Sequence, residues 1–258
     1  MEPIALLDFD PDTGLSLFDI KNQDCLHGYI GLICFFRDAI ERYVAQHPEL
    51  EIMRAERWQT LPLPLYVDHA QRRVLMLGGV SGANVSSQVE WMRALGICTV
   101  YYCGGAGVLN DLAVGHLILP DRALRDEGTS FHYAAPSRII QADPMALATI
   151  EKALQQQKLP YVKGMTWTID AAYRETKAKV ASRRQEGCLC VEMEAAGLFA
   201  MAQFYDMRIT GIFYGGDSLS GEEWDNRQWN TQKEIRYELL QFLLSCVDVS
   251  RETRKEEQ

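Results

Sequence analysis

The chain has 258 residues, 47% of them apolar, enough for one large domain or two small ones with a substantial core. Its net charge of -9 and pI near 5.1 leave no basic face to neutralise phosphates, which argues against a nucleic-acid scaffold and predicts no nucleic-acid partner. Seven cysteines without CxxC pairing, the closest being Cys188 and Cys190 in CLCV, predict reduced, buried thiols with neither disulfide nor metal.

The opening MEPIALLDFDPDTG carries acids where a signal peptide needs a basic region and a long apolar core. No apolar stretch approaches bilayer length, so a soluble, cytoplasmic protein with no membrane partner is expected. GYIGLICFF then reads as a buried strand and RDAIERYVAQ as a helix. YVDH and RRVLMLGGV read as a strand pair. In ANVSSQVEWMRALG, Val85, Val89 and Met92 recur at helical spacing, and ICTVYYC returns as a strand. The pattern continues with the strand HLILP, a helix around PMALATIEKALQQQ, the strand YVKGMTW and a helix through AAYRETKAKVASRRQ. It ends with the strand CLCV, a helix in EAAGLFAMAQF, the strand RITGIFY and a last helix with Ile235, Leu239, Phe242 and Cys246 on one face. RETRKEEQ is charged and aperiodic and predicts a frayed tail over 251–258, after a domain spanning 1–250. No linker or repeat divides the chain, and alternating strands and helices predict an α/β sheet.

In such sheets ligands collect beyond the carboxyl ends of strands. Four junctions fit that position: GGAG after ICTVYYC, TIDAAYRET after YVKGMTW, EMEAAG after CLCV, and GGDSLSG after RITGIFY. The glycines of TVYYCGGAGVLND let backbone N–H groups approach an anion, or simply make a tight turn. Glu192 and Glu194 sit two apart and point to opposite sides, so one can grip paired sugar hydroxyls while both can also complement a helix N-terminus. Asp217 follows an apolar strand and two glycines, where partial burial would raise its pKa and let it donate a proton to a leaving group; a helix or turn cap is the alternative.

Taken together, LMLGGVSGANVSSQVEWMRALGI, GGAGVLNDLAVGHLILPDRALRDEGTSFHY, TWTIDAAYRET, CVEMEAAGLFAMA and GGDSLSGEEW resemble the nucleoside phosphorylase and nucleosidase superfamily. The resemblance implies a three-layer αβα sandwich with a central mixed sheet that cleaves an N-glycosidic bond. It places Glu194 on the ribose hydroxyls with Met193 against the sugar and Glu192 beside them, and Asp217 as the catalytic group at a purine ring nitrogen. Tyr173 and Arg174 would contact the base, in a pocket with Ala106, Gly107 and Thr166, and Gly104 and Gly105 would meet phosphate.

Phosphorolytic relatives place an arginine where this chain has Tyr102 and a Ser or Thr where it has Gly105. Losing such a charge-assisted partner costs roughly 2–5 kcal/mol of anion binding unless another cation replaces it. Arg37 is the first replacement candidate, and Arg54 and Arg57 are candidates for reaching across a dimer interface. His132 lies in a family-like stretch, while His27, His47, His69 and His116 show no ligand spacing. The expected function is purine nucleoside phosphorolysis without a cofactor, with phosphate as co-substrate, in a homo-oligomer such as a dimer or hexamer. Hydrolysis and a catalytically silent nucleoside-binding protein are the alternatives.

Overall fold

The computed structural model describes residues 4–12, 24–54 and 63–256. β1 (Ile30–Cys34) begins the sheet, because IGLIC is apolar on both faces and pairs parallel with β4 (Arg73–Leu77) and β5 (Thr99–Val108). β2 (Glu51–Met53) and β3 (Leu65–Asp68) extend that edge as antiparallel neighbours. At the other end, β6 (Leu117–Asp126), β8 (Tyr161–Ile169), β9 (Cys188–Glu192) and β10 (Arg208–Ser218) follow, with the short β7 (Ile139–Gln141) on β6. β10 pairs with both β5 and β6, and β9 with both β5 and β8, so this half of the mixed sheet closes on itself.

Helices cover both faces. α2 (Gly82–Ala94) and α6 (Ala195–Tyr205) pack on one side, where Val85, Val89 and Met92 are fully buried with Phe199, Met201 and Tyr102. α1 (Arg37–Gln46), α4 (Pro144–Gln156) and α7 (Lys233–Glu256) cover the other, where Leu239, Phe242 and Cys246 are buried against Tyr101 and Tyr214. Tyr101 and Tyr102 thus enter opposite cores, as strand alternation requires. The mixed sheet between two helical layers is the expected architecture. The one-turn α3 (Ser130–Tyr133) and α5 (Lys177–Gln185) complete the helices.

Four local readings change. GGAG is no loop: Gly104 to Gly107 lie in the second half of β5 and pair with β10, because a neighbouring strand satisfies their backbone. AAYRETKAKVASRRQ breaks in two, since the Thr176 hydroxyl accepts the Lys179 N–H and starts α5 there, leaving Ala172–Arg174 as a separate 3-10 turn. Residues 251–256, expected to fray, continue α7. All seven cysteines are free, and Cys25 and Cys98 are exposed where buried thiols were expected, because Cys25 lies in the turn before β1 and Cys98 just ahead of β5. Among the described residues, no helix is long and apolar enough to cross a membrane.

Candidate active site

A cavity of about 240 Å³ opens at the carboxyl ends of the strands. Phe35 and Phe36 after β1, Gly104 to Gly107 in β5, Val191 and Glu192 in β9, and Asp217 in β10 line it. Met193 and Glu194 at the start of α6, Val80, Glu175 and Trp229 complete the wall. Three of the four sequence junctions therefore meet through the expected residues, and the fourth contributes a different one.

The two glutamates of EME do separate jobs. Glu192 is buried beneath the N-terminus of α6: its Oε2 accepts the N–H groups of Glu194 and Ala195 at 2.8 and 2.7 Å. Its Oε1 accepts the hydroxyls of Thr168 at 2.5 Å and Thr166 at 3.2 Å. Thr166, expected at the base, is instead fully buried as a support for this carboxylate. Glu194 is freer: Oε1 accepts the Ser81 N–H at 2.7 Å and Oε2 the Met193 N–H at 3.3 Å. Ser81 holds φ +86° and ψ 150°, a backbone region costly for a side-chain-bearing residue by about 1–3 kcal/mol, and that strain aims its N–H at Glu194.

Burial raises Glu192 to about 7, and burial together with repulsion from Glu192 raises Glu194 to about 8. Four donors, two of them at a helix N-terminus, favour charge on Glu192, so the proton shared by this pair resides on Glu194. Glu192→Ala leaves two helix N–H groups and two hydroxyls without their acceptor. Stability is expected to fall by about 3 kcal/mol, read as a lower urea midpoint at unchanged slope.

Asp217 owes its orientation to a β-bulge. Gly215 pairs with Ala106, Gly216 is the extra residue, and pairing resumes at Asp217 opposite Gly107. Trp224 Nε1 donates to Asp217 Oδ2 at 2.7 Å, leaving Oδ1 for a ligand. Glu175 stands near Asp217, and burial followed by that charge raises it to about 7. It is the residue of TIDAAYRET that lines the cavity: Tyr173 is fully exposed and Arg174 lies on the surface, because the 3-10 turn carries them outward.

The glycines of β5 serve an aromatic ring. A Cβ at Gly105 or at Gly216 would overlap the Trp229 indole, so both positions must be bare for it to lie against the sheet. The indole stacks on Tyr214 at 5.6 Å and 11°, with the Arg236 guanidinium 4.7 Å from its centre. Four carboxyl groups line the cavity and, among the described residues, no Lys, Arg or His does. Arg37, expected at phosphate, is an exposed residue of α1 beside Glu41 at 3.8 Å, and lines a neighbouring cavity with Asp38 and Arg236. Arg54 is exposed after β2, and Arg57 lies outside the described residues. His132 is exposed on α3. Tyr102, in the expected arginine position, is core: its ring meets Phe35 and Phe213, and burial raises its pKa well above 10.

The sequence model of the phosphorylase superfamily matches residues 29–247. The chain is 29% identical over 135 residues to a guanosine phosphorylase of Halorubrum lacusprofundi, a match covering 52% of this chain and 56% of that one. It is 26% identical over 144 residues to a uridine phosphorylase of Thermococcus kodakarensis, covering 50% and 52%. The chain thus spans about half the length of these curated relatives. Among solved structures, an AMP nucleosidase from Bacteroides thetaiotaomicron shares the fold at a TM-score of 0.69 and 19% identity, over 88% of this chain and 90% of that one.

Proposed function

Because the chain belongs to the phosphorylase superfamily, whose members are nucleoside phosphorylases and nucleosidases that generally need no cofactor, we propose that it cleaves the N-glycosidic bond of a purine nucleoside, with water accepting the pentose. Glu194 accepts hydrogen bonds from the sugar hydroxyls and, ionised, faces the positive charge that grows on the sugar as the C1′–N bond lengthens. Met193 packs beside it. Asp217, held by Trp224, passes a proton through Oδ1 to a base nitrogen, so that the electrons of the breaking bond flow into the purine, and recovers a proton from the attacking water. The hydroxyl of water ends on C1′ and its proton on the base.

The observation that carries the choice of water is the cavity's charge. A phosphate dianion entering this cavity would meet the charge of Glu192 and the carboxyls of Asp217, Glu175 and Glu194, the last two of which it would drive further toward their neutral forms, and no lining cation among the described residues. Of the two glycines expected to bind it, Gly105 is covered by the Trp229 indole and Gly104 faces the rings of Phe35 and Phe213. Phosphorolysis is the second reading, favoured by the names of the two curated relatives. On that reading a second copy of the chain, in a dimer or larger homo-oligomer, supplies the missing cation.

The test is release of free base from purine and pyrimidine nucleosides in phosphate-free buffer, then with added phosphate. Purines are expected to be cleaved at rates within twofold in both buffers, with free pentose as product. Cleavage that requires phosphate and yields a pentose 1-phosphate overturns the water assignment.

A further inference from the structure

A second cavity, of about 540 Å³, adjoins the first at its base end. Glu175 lines both. Trp224, which lines the second, holds Asp217 of the first through its indole N–H. The second cavity runs between α5 and the connection that follows β10. Val180, Ala181, Leu219 and the Trp224 ring give it an apolar wall, and Lys177 pairs with Glu222 at its rim at 3.5 Å. Arg184 is committed there to the carbonyls of Leu219 and Ser220. Trp224 is 64% exposed, an unusual position for an indole at the edge of a hollow unless something stacks on it.

Resting on the nucleoside reading above, we infer that this second cavity is a subsite for an apolar substituent on the base, so that the preferred substrates are purine nucleosides carrying an alkyl or aryl group on the exocyclic amine. Three features point there together. The first cavity, at about 240 Å³, has little room beyond a nucleoside core, while the adjoining one is more than twice as large. The junction lies beside Asp217, the residue that faces the base, and away from Glu194, the residue that faces the sugar, so the extension leaves from the base. At the rim Lys177 is paired with Glu222 and Arg184 with backbone carbonyls, while Glu175 and Glu223 are acidic, so the lining offers no free cation to an anionic group and leaves Val180, Ala181, Leu219 and the Trp224 ring to meet an apolar one.

The experiment compares binding of adenosine and N6-benzyladenosine by calorimetry, alongside their cleavage. The benzyl compound is expected to bind about tenfold more tightly, the gain that burial of one substituent's apolar surface gives. Ala181→Trp, on the exposed side of α5, fills the cavity and is expected to erase that advantage while leaving adenosine binding and cleavage unchanged; Ala181→Leu should remove part of it. Adenosine cleavage also reports that each variant is folded. Equal affinity for the two nucleosides, or an advantage that survives Ala181→Trp, overturns the subsite while the nucleoside reading stands. Absence of binding by either compound overturns the nucleoside reading, and the subsite with it.

Discussion

Glu194→Gln is expected to lower kcat/KM by about 100- to 1,000-fold while leaving the protein as stable as the parent or more so. The amide keeps an oxygen for the Ser81 N–H, so the strained turn before α2 retains its partner. What disappears is the carboxyl's ability to ionise beside the sugar, together with the repulsion from Glu192 that ionisation meets. Activity and melting temperature should therefore move in opposite directions, as when a site is built at the expense of the fold. The pH dependence follows from the same group. Burial and Glu192 hold Glu194 at about 8, and only its ionised form stabilises cationic sugar, so kcat/KM should rise with pH through about 8. Stability runs the other way. A carboxyl raised above its unfolded value contributes most below about 4.5, and that contribution is lost as pH rises through about 8. In Glu194→Gln both slopes should flatten. A variant that retains the alkaline rise would show that another group controls it.

The parts of this site that local chemistry determines are legible in the amino-acid sequence. CLCV followed by EMEAAG contains a buried strand, a helix start and two carboxyls of opposite direction, and the fold turns Glu192 under the helix and Glu194 into the cavity. GIFYGGDS likewise delivers Asp217 at a strand end. Long-range packing determines the rest and leaves little local trace. Gly105 and Gly216 are 111 positions apart, and nothing in either segment says that Trp229 will cover both. The same glycines that resemble an anion loop become strand once β10 pairs with them. Glu175 is, by sequence, one more charge within the stretch expected as a polar helix. Only the 3-10 turn at Ala172–Arg174, which throws Tyr173 and Arg174 outward, brings it inward. A signal for that break is present in Thr176, a good helix-capping residue in the middle of the stretch expected as one helix. Ser81 leaves a fainter one, a small polar residue set between glycines in GGVSGAN.

Asp217→Asn is expected to reduce kcat by about 100-fold or more with KM for a purine nucleoside changed by less than about threefold. The asparagine preserves size and can still accept the Trp224 indole N–H through its carbonyl oxygen. That leaves an amide nitrogen toward the ligand where a carboxylate oxygen stood. An amide can donate to the base but can neither carry its proton nor offset its charge, so the loss falls on the transition state and spares the bound nucleoside. Trp224→Phe isolates the positioning half of this arrangement. With the indole N–H gone, Asp217 keeps its chemistry and loses its fixed orientation, so kcat should fall by about tenfold, less than in Asp217→Asn. In the double variant Trp224 should have no further effect, because orientation matters only while there is a carboxylate to orient. Calorimetry on the single variants separates catalysis from binding: nucleoside held with near-native affinity but not cleaved places Asp217 in the chemical step. Unchanged turnover in Asp217→Asn would remove it from the mechanism and leave Glu175, the other carboxyl at the base end, as the group to substitute next.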